Sequence, residues 1–143
     1  MFNNGIDFEE AFAPVARIET IRLILALSAI LNWKVFHMDV KAAFLHGELK
    51  ESVYMKQPEG YEKKRAESKL YKLSKALYGL RQAPRAWNLK LDAVLKGLGF
   101  KRCQHEEALY VKSKEGSLLI VGVYVDDLLV TGSDVVEVEF FKQ

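Results

Sequence analysis

The stretch SLLIVGVYVDDLLVTG, residues 117–132, decides how the rest of the chain is interpreted. Aliphatic and β-branched runs lie on either side of Asp126 and Asp127, which indicates a β-hairpin with both acids in its turn. The flanking runs are apolar enough to be buried on both faces. Adjacent carboxylates at the end of a buried hairpin repel each other, so they either shift their pKa values or bind a cation. An Asp pair in a turn is more often simple turn chemistry, so a metal site needs a third carboxylate.

A third carboxylate follows an earlier predicted strand. Residues 34–40, KVFHMDV, alternate as a β-strand does, with His37 and Asp39 on the same face. A strand-end Asp by itself is more often a cap or turn residue than a metal ligand. Both segments are apolar strands that end in acidic residues. We therefore predict that Asp39 lies close to Asp126 and Asp127 in the fold.

Length and composition narrow the class of protein. With 143 residues, half of them hydrophobic and 11% aromatic, the chain can form one folded domain or part of one, and it is not a disordered segment. No apolar run is long enough to span a membrane and no signal peptide is recognisable, so we expect an intracellular protein without a membrane partner. Cys103 is the only cysteine and the histidines show no ligand spacing, which argues against a disulfide or a zinc cluster.

The charge is unevenly distributed along the chain. The net charge is only +2, but residues 61–102 contain twelve Lys or Arg and three acids, so this segment carries +9 and the remainder −7. Such asymmetry is typical of a segment that faces a polyanion. A solvated helix face and loop would produce the same pattern, and both interpretations remain open.

The other predicted elements are helices and short strands. Apolar residues on nearly every face of residues 18–32 predict a buried core helix. Pro84 suits the first turn of a second helix, and a third begins after Ser133 or Asp134, with Glu137 as its capping-box partner. We interpret the apolar stripe of the second helix as core packing; it comprises Trp87, Leu91, Val94, Leu95 and Leu98. The predicted short strands are residues 53–55, 70–73, 108–112 and 117–124.

Three sequence blocks, in this order, resemble the reverse transcriptase of copia-type retrotransposons: FHMDVKAAFLHGELKESVYMKQPEGY, KLYKLSKALYGLRQAPRAW and YVDDLLVTG. The segments FEEAFAPVARIETIRLILALSA and LGFKR add to the resemblance, which covers nearly the whole chain. It implies an α+β fold, an incomplete polymerase palm whose antiparallel β-sheet has helices packed behind it, with a remnant of the fingers. Residues 1–143 would be a single partial domain, truncated at both ends, without RNase H, integrase or protease regions.

The resemblance also implies RNA-directed DNA polymerase chemistry on an RNA or DNA template-primer, with deoxynucleoside triphosphates as substrates. The family's acidic triad corresponds to Asp39, Asp126 and Asp127, which would hold two Mg²⁺ or Mn²⁺ ions. Hard oxygen ligands suit these ions and not zinc. Two divalent ions roughly 3.5–4 Å apart stabilise both the entering and the leaving oxygens. We expect Asp39 and Asp126 to be direct ligands and Asp127 to be a supporting carboxylate.

Further residues acquire roles from their positions in the family's motifs. The backbone amides of Ala42 and Ala43 would face the triphosphate. Phe44 would contact the sugar and exclude a 2′-hydroxyl, unless it is a core residue. Tyr78 and Gly79 would line the nucleotide pocket. The expected nucleic-acid contacts are Tyr124 at the primer end and Arg81 and Arg85 at phosphates.

Two functional interpretations remain open. The first is a polymerase palm that retains its metal site; the second is a degenerate, non-catalytic remnant with at most non-specific nucleic-acid binding. The family's upstream basic segment, primer grip and thumb have no counterpart in the sequence, so we expect residues 1–143 to be inactive alone. A two-carboxylate hydrolase fits poorly, because Asp126 and Asp127 on one turn would not flank an open sugar cleft.

Overall fold

The computed structural model describes residues 13–66 and 68–143, so residues 8–12 of the FEEAF block lie outside the described part. In chain order the elements are helix α1 (Ile18–Ile30), strand β1 (Val35–Asp39), a short 3-10 helix (Ala43–His46), strands β2 (Glu48–Met55) and β3 (Tyr71–Lys75), helix α2 (Ala83–Gly97), strands β4 (Lys101–Arg102), β5 (Leu109–Lys114), β6 (Ser117–Tyr124) and β7 (Asp127–Gly132), and helix α3 (Val135–Phe141). Within these residues, five strands form one antiparallel sheet in the order β1-β7-β6-β5-β4, while β2 and β3 form a separate antiparallel ribbon. The predicted α+β fold with an antiparallel sheet is confirmed.

The hairpin predicted from residues 117–132 lies at the centre of the sheet. Strands β6 and β7 pair until Tyr124 lies opposite Asp127, which leaves Val125 and Asp126 as a two-residue turn. The prediction that both acids lie in the turn is therefore wrong for Asp127, which is the first residue of β7 because its backbone pairs with Tyr124. Strand β1 pairs with the other side of β7. β7 is therefore an interior strand, and the turn at its start lies beside the end of β1.

Helices α2 and α3 pack on one face of the sheet. The fully buried Tyr110 shares this face with Val121 and donates its hydroxyl to the carboxylate of Asp92 on α2, at 2.9 Å. A Cβ added at Gly132 would lie 3.2 Å from Val138 of α3. The hydrophobic core of the described residues therefore lies between these helices and the sheet.

Helix α1 lies on the opposite face, so the helices do not all pack behind one side of the sheet. A Cβ added at Gly122 would lie 3.3 Å from the Ile24 side chain, and Ser28 shares a hydrogen bond of 3.0 Å with Thr131. The predicted helix is present, but the prediction that it is buried all round is wrong. Ile24 and Ser28 are its buried residues, whereas Leu23 is 68% exposed and Ile30 is 80% exposed. The sheet covers one side of α1 only, and the described residues place no second layer over its outer side.

Helix α2 begins as predicted, with Pro84 in its first turn. Its apolar stripe is only partly core, because Val94 and Leu98 are about half exposed. The buried members of the stripe are Trp87, Leu91 and Leu95. The stripe is wider than the contact that α2 makes with the sheet, and its outer edge therefore remains exposed.

The ends of the ribbon and of α3 differ in detail from the predictions. The strands predicted at residues 53–55 and 70–73 pair with each other as β2 and β3, and both extend further. Asp134 caps α3 by accepting from the amides of Val136 and Glu137. The carboxylate of Glu137 accepts a hydrogen bond from the Ser117 hydroxyl at 2.8 Å and so links α3 to β6.

Among residues 13–66 and 68–143, no helix has the length and hydropathy that a membrane span requires.

Candidate active site

The acids on β1 and on the hairpin converge, as the sequence predicts. Asp39 lies directly opposite Asp127 in the register of β1 and β7. The amide of Val40 donates to the carbonyl of Asp126 at 3.0 Å, so the adjacent Asp39–Asp127 pair is of the non-hydrogen-bonded kind. The Cα atoms of such a pair lie about 4.5 Å apart, with side chains on the same face. Asp126 occupies the adjoining turn, and the three acids thus share one end of the sheet.

The hairpin turn holds a residue with an uncommon backbone conformation. Val125 has a φ of 57°, in the left-handed region, where a β-branched residue is an outlier. The indole N–H of Trp87 donates to the carbonyl of Val125 at 2.9 Å. The sequence predicts Trp87 as core packing only; its bond to the turn is a contact that helical spacing does not reveal.

His37 is a site residue that sequence reasoning missed. Its Nε2 lies 2.8 Å from Oδ1 of Asp127, with the two side chains 69% and 40% exposed. The alternation of β1 places His37 on the same face as Asp39, which was visible in the sequence. Its partner was not visible, because Asp127 becomes a neighbour only through the pairing of β1 with β7.

The donor set fits a hard divalent ion. Asp39, Asp126 and Asp127 offer carboxylate oxygens, which suit Mg²⁺ or Mn²⁺. Within residues 13–66 and 68–143, no three His, Cys, Asp or Glu side chains are gathered closely enough to enclose an ion. Magnesium does not require such a cage, since proteins usually bind it through one or two carboxylates together with waters and substrate phosphates.

The residues expected around the nucleotide are partly brought together. Phe44 and Tyr78 are distant in sequence, but their ring centroids lie 4.5 Å apart at an interplanar angle of 43°. Phe44 is buried in the hydrophobic cluster and Tyr78 is 55% exposed, so the pair joins the core to the surface. Ala42 precedes the 3-10 helix with a φ of 52°, and Ala43 is fully buried.

The other predicted contact residues lie in the loop before α2, in its first turn and on the hairpin. Gly79 has a φ of 92° in the loop before α2. Arg81 is exposed in the same loop, and Arg85 is half-buried in the first turn of α2. Tyr124 is 54% exposed and faces Asp127 across the hairpin. The lysines of the basic segment are exposed: Lys63, Lys64, Lys69, Lys72, Lys75, Lys90, Lys96 and Lys101.

The antiparallel sheet thus brings Asp39, Asp126 and Asp127 to one of its ends. The chain matches the family described as reverse transcriptase (RNA-dependent DNA polymerase) over residues 2–143, and it belongs to that family.

Curated relatives narrow the family to retrotransposon polyproteins of the copia type. The chain is 45% identical over 131 residues to the retrovirus-related Pol polyprotein from transposon TNT 1-94 of Nicotiana tabacum, which covers 91% of the chain and 10% of the polyprotein. It is 42% identical over 130 residues to the corresponding polyprotein from transposon RE1 of Arabidopsis thaliana, covering 91% and 9%. The chain thus spans about a tenth of the length of these relatives. No solved structure gives a significant match.

Proposed function

We propose that the chain is part of a retrotransposon reverse transcriptase and that Asp39, Asp126 and Asp127 hold the divalent ions for nucleotidyl transfer. The observation that carries this proposal is the direct pairing of Asp39 with Asp127 across β1 and β7. Segments that are distant in sequence would not place acids opposite each other at an exposed sheet end for packing reasons, since like charges directly opposite are destabilising. A bound cation removes this repulsion.

The protein's own residues would divide the work as follows. Asp39 and Asp126 act as direct ligands from the end of β1 and from the turn, and Asp127 supports them from β7. The bound ions, Mg²⁺ or Mn²⁺, stabilise the charge on the entering and leaving oxygens of the transfer. The amides of Ala42 and Ala43 face the triphosphate of the nucleotide. Phe44 contacts its sugar.

The remaining residues would bind the template-primer or line the entrance of the nucleotide pocket. Tyr78 packs against Phe44 and, with Gly79, lines the entrance of the pocket. Tyr124 lies beside the acids and contacts the primer end. Arg81 and Arg85 contact phosphates of an RNA or DNA template-primer. Such cationic contacts to phosphate are strong when hydrogen-bonded and supply positioning more than selectivity.

A second candidate function is nucleic-acid binding without chemistry. It is favoured by the exposed lysines of residues 61–102 and by the lack of an enclosed three-ligand cluster within the described residues. Phosphoryl transfer also requires that primer and triphosphate be held in line, and good positioning can contribute roughly 7–11 kcal/mol. Because the chain spans about a tenth of its relatives' length, we expect no primer extension from residues 1–143 alone.

Calorimetric titration with Mn²⁺ separates the two functions. We expect weak binding by the wild-type chain and a loss of about tenfold or more in affinity for Asp39→Asn and Asp126→Asn, since even supporting residues of metal sites contribute this much. Asp134→Asn is the matched control, because Asp134 caps α3 away from the site and Asn caps equally well. Equal Mn²⁺ affinity in all four proteins would exclude the metal site and leave nucleic-acid binding as the function.

A further inference from the structure

The turn that carries Asp126 is strained at its first residue. Val125 has a φ of 57°, and its two β-carbon branches make this left-handed conformation unfavourable. Glycine, or less readily Asn, occupies such positions without this penalty. A strained residue persists only where the surrounding structure holds it in place. Val125 is therefore held in this conformation by contacts from neighbouring elements.

Two hydrogen bonds hold the two carbonyls of the turn. The indole N–H of Trp87 donates to the carbonyl of Val125 at 2.9 Å, and the amide of Val40 donates to the carbonyl of Asp126 at 3.0 Å. The first bond comes from α2 on the core side, and the second comes from the residue after Asp39. Trp87 is only 6% exposed, so the ring that donates this part-buried bond is withdrawn from water.

The segment after Asp39 also fixes the start of α2. Gly47 directly follows the 3-10 helix, and a Cβ added there would lie 2.7 Å from backbone atoms of Ala86 and Trp87. Real Cβ atoms do not approach backbone this closely, so only glycine permits the contact. The first turns of α2 therefore pack tightly against Gly47, in the segment that follows Asp39. Through Trp87, α2 is also hydrogen-bonded to the turn that carries Asp126.

We propose that Trp87 is a positioning residue for the acidic site: its indole N–H holds the strained Val125 carbonyl and thereby fixes Asp126 and Asp127 relative to Asp39. The link from this geometry to metal affinity rests on the proposed function. The hydrogen bond from Trp87 to the Val125 carbonyl, called the tether below, does not rest on the proposed function, because it holds the turn whether or not an ion is bound. A Trp that only packs in the core would stabilise the fold without a specific effect on the turn.

The matched pair of variants is Trp87→Phe and Tyr110→Phe. Each variant keeps an aromatic ring and removes one hydrogen bond of α2, to the hairpin turn in the first case and to strand β5 in the second. The hydroxyl of Tyr110 donates to Asp92, which lies more than one helical turn after Trp87 in α2. Both variants should lose stability, but only Trp87→Phe removes a bond to the turn.

The first readout is amide hydrogen exchange by NMR without metal. We expect exchange of the Val40 and Asp127 amides to be about fivefold faster in Trp87→Phe, the effect of one lost neutral hydrogen bond, and unchanged in Tyr110→Phe. In the wild-type chain the indole N–H of Trp87 should exchange far more slowly than that of the half-buried Trp33, which requires no variant. Equal indole exchange, or equal amide exchange in both variants, would overturn the proposal.

The second readout is Mn²⁺ affinity, with a rescue. Trp87→Phe should weaken binding by about fivefold, and Tyr110→Phe should not. Adding Val125→Asn to Trp87→Phe should restore part of the affinity, because Asn tolerates the left-handed conformation that the tether otherwise enforces. A double variant that binds no better than Trp87→Phe would show that strain at Val125 is not what Trp87 holds. If the wild-type chain binds no Mn²⁺, the proposed metal site fails, and the exchange data alone decide the tether.

Discussion

His37 donates a hydrogen bond from Nε2 to Oδ1 of Asp127, at 2.8 Å, across the two strands that bear the acids. An ionised carboxylate only accepts, so the donor in a hydrogen bond to it is an Nε2–H group. The contact occupies one oxygen of Asp127, the supporting carboxylate of the proposed metal site. Because both side chains are well exposed, the pair contributes little to stability and acts instead on what Asp127 can bind.

We therefore predict that His37→Ala raises the affinity for Mn²⁺ severalfold, since Oδ1 of Asp127 no longer has a competing donor. The free energy of unfolding should change by less than about 0.5 kcal/mol, as for most surface substitutions. Calorimetry and urea unfolding measure the two quantities, and His105→Ala, at another exposed histidine, is the control. A lower affinity in His37→Ala would mean that His37 orients Asp127 for the ion.

Gly47→Ala should destabilise the chain by about 1–3 kcal/mol, the usual cost of forcing extra volume into a packed region. Its new methyl group would lie 2.7 Å from backbone atoms of Ala86 and Trp87, which cannot move independently of α2. Gly97→Ala, at the end of α2, is the control, because apart from its chain neighbours and the backbone of its own helix nothing lies within 4 Å of the added Cβ. It should leave stability unchanged or raise it by up to about 1 kcal/mol. Equal urea midpoints for both variants would contradict the prediction.

Glu106 should make stability dependent on acid pH. Burial by itself raises the pKa of Glu106, but hydrogen bonds from the Thr20 hydroxyl and the amides of Arg17 and Ala108 outweigh it and lower the pKa below its ordinary value of 4.5. The unfolded chain then binds protons more readily than the folded one. The stabilisation is thus present above pH 4.5 and is lost as the pH falls through the folded pKa.

The measurement for Glu106 is urea unfolding at several pH values. We expect Glu106→Gln to be less stable than the wild-type chain at pH 7 and to lose less stability on acidification. Glu107→Gln is the control, because the neighbouring carboxylate is exposed and pairs with Arg102 at the surface. If Glu106→Gln keeps the full acid sensitivity of the wild-type chain, the contacts at the start of α1 do not depend on this carboxylate's charge.

Nucleic-acid affinity should come mainly from residues 61–102. We expect sequence-independent binding of single-stranded RNA that weakens steeply with salt, with a slope that falls by about 0.7 for each phosphate contact removed. Lys72→Gln and Lys75→Gln on β3 should each reduce the slope, whereas Lys34→Gln, exposed but outside the segment, should not. Fluorescence anisotropy at several salt concentrations measures the slopes. Identical slopes in all variants would place the binding surface elsewhere.

Local patterns along the chain were enough to predict several features of this protein. Aliphatic and β-branched runs predicted the hairpin around Asp126 and Asp127, and Pro84 marked the start of α2, because strand composition and proline geometry act over a few residues. The family was also readable, since its motifs are contiguous blocks. The fully buried α1 was a wrong prediction, because composition shows that a helix is apolar but not how many of its sides are covered.

The neighbours of each strand could not be predicted from such local patterns, because they depend on the packing of the whole chain. The alternation of β1 places His37 and Asp39 on one face, but the pairing with β7 alone brings them opposite Asp127. In the same way, the spacing of Trp87 predicts a buried ring, and only the docking of α2 aims its N–H at the carbonyl of Val125. Register and docking arise from contacts between distant segments, and these depend on how the whole core packs and not on any local pattern.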